Sequence, residues 1–289
     1  MKTLLGKSIL LLIGLLACTF VRAQGPTNFT THTDIRYAKQ RKNLVENEKC
    51  SDRLLDVLLP SIEKPLDGFP VVVFIHGGGF RERSKEERNP VVRKLLEQGF
   101  AIVSINYYLT FKYVQRDNSS NQHGQREITP EGGTYSSLVE QAVAEASTDA
   151  SLALKWLKKN ARHYGLNPRK VALLGGSAGA MTALHTVYHM RRSSVAVRAV
   201  IDLWGSLNYP SDIKAGSPAL LIVHGDADTT VSVKHAYMLD RFAEEAGIDH
   251  EMYIMKGLGH AQYRHVGTNM MEPIIAFLNK HFRMTEPMD

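Results

Sequence analysis

Gly175-Gly176-Ser177-Ala178-Gly179 sets a serine between glycines, directly after a predicted strand and directly before a predicted helix. A turn that sharp holds the side chain exposed above the strand end, where a hydroxyl can attack an electrophilic carbon. The pentapeptide alone is a weak signal, and its strand–turn–helix setting is what gives it meaning. No lysine follows the glycines, so a phosphate-binding loop is a poor reading. A serine hydroxyl is a weak nucleophile until a base takes its proton. In this setting the partners follow the serine in the order acid, then histidine.

Five histidines lie after residue 230: His235, His250, His260, His265 and His281. His260 sits in Gly257-Leu258-Gly259-His260-Ala261, just past the last predicted strand, where glycines permit a tight loop over the sheet edge. His235 and His281 fall in predicted helices, and His265 is the runner-up. The acid lies in His224-Gly225-Asp226-Ala227-Asp228-Thr229-Thr230-Val231, at the end of another predicted strand. Spacing leaves Asp226 and Asp228 both open, since either can instead form a turn or cap a helix. A fourth stretch, His76-Gly77-Gly78-Gly79-Phe80, also follows a strand. Its glycines let backbone N–H groups turn toward a ligand, and with the N–H of Ala178 they would hold a developing oxyanion.

Elements must bring these four stretches together. Leu54–Leu59, Val71–Ile75, Phe100–Asn106, Val171–Leu174, Val197–Leu203, Ala219–Val223 and Met252–Met255 read as strands. Several are continuous apolar runs, which fits strands buried on both faces. Helical patterns alternate with them at Asn89–Gln98, Leu152–Tyr164, Ala178–Met190, Val233–Ala246 and Thr268–Phe282. The alternation predicts an α/β protein with a mostly parallel central sheet and helices on both faces. Residues 51–289 read as one catalytic domain, broken by a polar insertion over about 111–148. Residues 24–50 read as an N-terminal tail.

Composition narrows the function classes. Of 289 residues 44% are hydrophobic, enough for a large core, and the formal charge is +6. Lys2, Lys7 and Arg22 supply three of those charges within the first 23 residues, which leaves 6 − 3 = +3 for the rest. So small and interspersed a charge does not suit a nucleic-acid binder. The short basic start, the apolar run Ile9–Val21 and Val21-Arg22-Ala23 predict a signal peptide over 1–23 and a secreted or periplasmic product. The run is too short for a stable membrane span. Leu15-Leu16-Ala17-Cys18 offers the alternative of a lipoprotein anchored through Cys18. His185 and His189 share a helix, but no pattern of further ligands accompanies them, so no metal is expected. Tyr107, Tyr108, Tyr113 and Tyr135 are candidates to stack a sugar or aryl acid, and Trp204 to line an acyl pocket.

Taken together, Leu55-Asp56-Val57, the H-G-G-G loop, the G-x-S-x-G turn, His224 to Val231 and Gly259-His260 resemble the α/β-hydrolase esterases, the branch of hormone-sensitive-lipase-like enzymes and bacterial carbohydrate esterases. The resemblance covers about residues 52–283. Its H-G-x-x-D-x-x-V pattern implies Asp228 as the acid, and its H-G-G-G loop implies Gly78 and Gly79 as oxyanion donors beside Ala178. It implies a serine carboxylesterase that needs no cofactor and acts on small-molecule or polysaccharide esters, short-chain, acetyl or feruloyl. A serine peptidase of the same fold and a silent hydrolase-like binding protein are the alternatives. Two departures stand out. The residues after the third predicted strand read Tyr107-Tyr108-Leu109-Thr110-Phe111, unlike the family's usual segment, and only Gly205 to Pro218 follows Trp204, too short for a large lid domain.

Overall fold

A computed structural model describes residues 29–42, 44, 49–113, 135–191 and 193–284. The expected signal peptide and Cys18 lie outside the described residues. Among these residues eight strands form one sheet: β1 (Thr30–Arg36), β2 (Leu54–Leu59), β3 (Phe69–Ile75), β4 (Ala101–Ile105), β5 (Leu166–Gly176), β6 (Val197–Leu203), β7 (Ala219–Gly225) and β8 (His250–Met255). Their spatial order is β1-β2-β4-β3-β5-β6-β7-β8. β1 and β2 run antiparallel at one edge, and every pairing from β4 to β8 is parallel.

Side chains alternate across the strands and fill two cores. Val71, Val73 and Ile75 point to the face covered by α3 (Ser137–Tyr164), α4 (Ala178–Leu184) and α5 (Lys234–Glu245). Val72 and Phe74 point to the face covered by α1 (Pro90–Glu97), α6 (Tyr263–Asn269) and α7 (Met271–Phe282). With both faces covered, the central strands carry no polar side, which is why they read as unbroken apolar runs. A short helix α2 (Thr110–Tyr113) completes the set. Between β6 and β7 lies only a single 3-10 turn, Pro210–Asp212, so no lid helix covers the carboxyl end of the sheet there.

The structure departs from the sequence reading in three places. Residues 137–148, assigned to a polar insertion, are the first turns of α3, which Ser136 caps by accepting from the Val139 amide. Small residues Ala142, Ala146, Ser147 and Ala150 are its buried stripe, so close packing replaces the large apolar side chains that periodicity detects. Residues 30–36, assigned to a tail, pair with β2 as an edge strand whose residues are almost all exposed. The helix opened at Ala178 changes to a π turn at His185–His189. The N-terminal segment is locked to the domain by Asp149 on α3, a fully buried carboxylate that accepts from Arg41, Arg53 and the Tyr108 amide.

Candidate active site

Ser177 stands between β5 and α4 at φ 56° and ψ −123°. A side chain with positive φ is uncommon and strained, and here it lifts the hydroxyl off the sheet. The turn depends on close backbone approach. A Cβ on Gly179 would lie 2.0 Å from the Ile75 carbonyl oxygen, inside the backbone of β3. We expect Gly179→Ala to cost about 3 kcal/mol in stability, roughly a 6–12 °C fall in Tm. A displacement of the elbow by about 1 Å should lower kcat/KM on a simple ester by on the order of 100-fold. Differential scanning fluorimetry and an ester assay on the same preparation measure both effects.

His260 comes from the loop after β8. Its Nε2 lies 2.9 Å from Ser177 Oγ and its Nδ1 lies 2.7 Å from Asp228 Oδ2. The three sequence-predicted groups therefore meet in one line. His235 is buried on α5, His250 pairs with Asp240, His265 lies beside Asn269 on α6, and His281 pairs with Asp249 on α7. The two aspartates left open by spacing have separate tasks. Asp226 is exposed and accepts from the Gly257 amide, bracing the turn below His260. Asp228 is buried, and its Oδ1 accepts from the amides of Thr230 at 2.8 Å and Val231 at 2.9 Å. Burial pushes its carboxyl up, but hydrogen bonds from His224, His260 and the Val231 amide outweigh that and hold it well below the usual carboxylate range. It stays ionised wherever His260 needs an anion.

Gly78, Gly79 and Ala178 line the same cleft as Ser177. Gly78 adopts φ 98°, and a Cβ there would meet the Glu82 carbonyl oxygen at 2.4 Å, so only glycine fits. The loop is fixed from beneath by Tyr107, which stacks on His76 and donates its hydroxyl to the carbonyls of His76 at 2.9 Å and Gly77 at 3.1 Å. Tyr107 is fully buried, so it serves the loop and is closed to any ligand. This bracing role went unread in the sequence, where the two tyrosines at 107 and 108 look alike. Tyr108 stacks on Tyr113 under the Arg41 guanidinium. Tyr135 and Trp204 do line the cleft, which has a volume of about 400 Å³ and an apolar wall completed by Phe80, Phe111, Val139 and Met181. His185 and His189 bring their rings 4.5 Å apart, yet among the described residues no group of three metal-ligating side chains exists.

This arrangement can perform acyl transfer: an oriented nucleophile, a base whose ring is held by a carboxylate, and a glycine loop lining the same cleft. The profile of the Phospholipase/Carboxylesterase family matches residues 111–282, more than half of the chain. The chain belongs to that family. A second profile, BD-FAE, matches residues 55–115, so the two together run from β2 to the last helix. Lipase 1 of Geotrichum candidum is 32% identical over 208 residues, which are 70% of this chain and 31% of that one. Juvenile hormone esterase of Heliothis virescens is 24% identical over 77% of this chain and 37% of its own. The chain thus spans about a third of the length of these relatives.

Among solved structures, a truncated carbohydrate esterase from gut microbiota superposes with a TM-score of 0.66 at 17% identity, covering 88% of this chain and 96% of that one. Esterase 2 of Thermogutta terrifontis superposes at 0.64 and 20% identity, covering 91% and 94%. Both share the α/β-hydrolase fold with this phospholipase/carboxylesterase family member. Among the described residues no helix is long and apolar enough to cross a membrane.

Proposed function

We propose that the protein is an exported serine carboxylesterase working through an acyl-enzyme. The observation that carries this reading is the unbroken line from Ser177 Oγ through His260 to Asp228. Ser177 Oγ attacks the ester carbonyl while His260 Nε2 takes its proton, and the carbonyl oxygen becomes an anion held by the amides of Gly78, Gly79 and Ala178. Collapse expels the alcohol, which receives its proton from His260. Water then attacks the acyl carbon with His260 again as base, and Ser177 is released. Asp228 stabilises the imidazolium at each stage. No step calls for a metal or organic cofactor.

The apolar cleft and the absence of a lid helix after Trp204 favour short-chain or aryl acyl groups on a bulky alcohol, such as acetyl or feruloyl groups on a polysaccharide. The basic and apolar first 23 residues support export. The test is a panel of p-nitrophenyl esters, aminoacyl-arylamides, and acetylated and feruloylated xylo-oligosaccharides. Hydrolysis of short esters with no cleavage of arylamides is expected, and the substituted oligosaccharides should show the highest kcat/KM. Arylamide cleavage without esterase activity would make it a peptidase, and inertness on the whole panel a binding protein. Mass spectrometry of the mature N-terminus should find Gln24 first. An acylated Cys18 would replace free export with a lipid anchor.

A further inference from the structure

His224 has no part in the three-residue line, yet it is fully buried directly behind it. Its Nε2 lies 2.8 Å from the Val231 carbonyl oxygen, which can only accept, so Nε2 carries a proton. The same Nε2 lies 3.3 Å from Asp228 Oδ2, the oxygen that also receives His260. On the adjacent strand β6, Asp202 pairs in register with Ile222, which places it two residues from His224 on the same face. At that offset the two side chains share one face without touching, and each acts on the other through its charge. Asp202 is fully buried, and its Oδ1 accepts from the Gly205 amide at 2.8 Å. Its Oδ2 and the Nδ1 of His224 are both buried without a hydrogen-bond partner among the described residues.

We propose that His224 is a positioning residue: its Nε2–H clamps Asp228, and the buried Asp202 carboxylate on the adjacent strand favours a charged ring whose positive charge lies against Asp228 and limits how strongly that carboxylate holds the His260 proton. The proposal rests on the esterase reading of the Ser177 line. Two charges of opposite sign deep in a core are retained only as partners. Burial pushes His224 down, but hydrogen bonding to Asp228 and the charges of Asp202 and Asp228 more than reverse this, and it stands above its ordinary value. Burial lifts Asp202 to about 6 against the pull of His224 and the Gly205 amide. Among the described residues, the other titratable groups facing the two carry no competing charge. His235 on α5 is kept neutral by burial and by His224, at about 4. Tyr135 and Tyr188, which border Asp202, stay protonated because burial and that carboxylate both raise them. From β8 the neighbour is Ile254.

The two charges sum to zero, so their effect on His260 comes from the nearer, positive one. Two measurements follow the consequence: the pH dependence of kcat/KM on p-nitrophenyl acetate, and the ¹⁵N titration of the His260 ring without substrate. His224→Gln keeps an N–H donor in place of Nε2 and removes the charge. It should raise the acid-limb midpoint by about 0.5–1 pH unit, with kcat/KM about 3- to 10-fold lower at pH 6 and nearly equal at pH 9. Asp202→Asn keeps the acceptor for Gly205 but withdraws the partner that holds the proton on His224. It should shift the midpoint in the same direction, and the double variant should shift it no further than the larger single change. Should His224→Gln fail to fold, Asp202→Asn carries the test alone. A purely packing role would lower Tm or kcat at every pH and leave the midpoint within 0.2 unit of wild type, and that result would overturn the proposal, as would a downward shift. The ring titration needs no turnover, so it reads the His224 charge even if the protein hydrolyses no ester.

Discussion

Ser177→Ala is expected to abolish hydrolysis of p-nitrophenyl acetate, with kcat falling on the order of 10⁵- to 10⁶-fold while the fold stands. Among the described residues no other hydroxyl is in hydrogen-bond contact with His260, so none of them stands ready to take over the attack. The residual rate should come from the cleft and the amides of the oxyanion loop acting on bound ester and water. Stability separates this result from misfolding. Ser177 holds φ 56° and ψ −123°, a conformation that alanine finds as awkward as serine, so Tm should move by less than about 2 °C. Ser177→Gly should be equally inactive and melt a few degrees higher, because glycine adopts that turn without strain. Wild-type-like turnover by either variant would remove Ser177 from the chemistry, and a lower Tm for the glycine variant would remove the strain argument.

What the sequence disclosed follows from how each residue acts. The serine, the histidine and the glycine loop announce themselves because sharp turns at strand ends demand glycine at fixed offsets, and such offsets are local. Asp226 and Asp228 could not be separated by spacing, because their difference is three-dimensional: one accepts from Gly257 at the surface, and the other is buried against His260 and two amides. Tyr107 and His224 were invisible as supports for the same reason, since each works through a contact more than 20 residues away or across a loop closure. β1 escaped because an exposed edge strand has no buried face to write an alternating pattern. The start of α3 escaped because a stripe of alanine and serine packs closely without looking hydrophobic. The central strands were easiest, since burial on both faces keeps their runs apolar, with polar groups such as Asp202 and His224 entering only near the carboxyl ends.

Asp228→Asn tests the geometry more severely than any truncation. The amides of Thr230 and Val231 already fix one oxygen of residue 228. An asparagine must keep its carbonyl oxygen there and turn its NH₂ toward His260 and His224. The Nε2 of His224 carries a proton shared between the Val231 carbonyl and residue 228, so it cannot accept. His260 Nδ1 must then accept, and its proton moves to Nε2, which points an N–H at Ser177 where a lone pair is needed. We expect kcat to fall about 10⁴-fold. The same variant should change the response of stability to acid. The Asp228 carboxyl lies well below its unfolded value of about 3.9, so its contribution is complete above that pH and is lost as pH falls through the acid range. The wild type should therefore exceed Asp228→Asn in Tm at pH 7, and the gap should narrow steadily as pH falls below about 5, with part of it persisting to the lowest pH at which the fold survives. Parallel Tm curves across that range would show that this carboxylate is not held ionised by its partners, and that the base at residue 260 is oriented by something else.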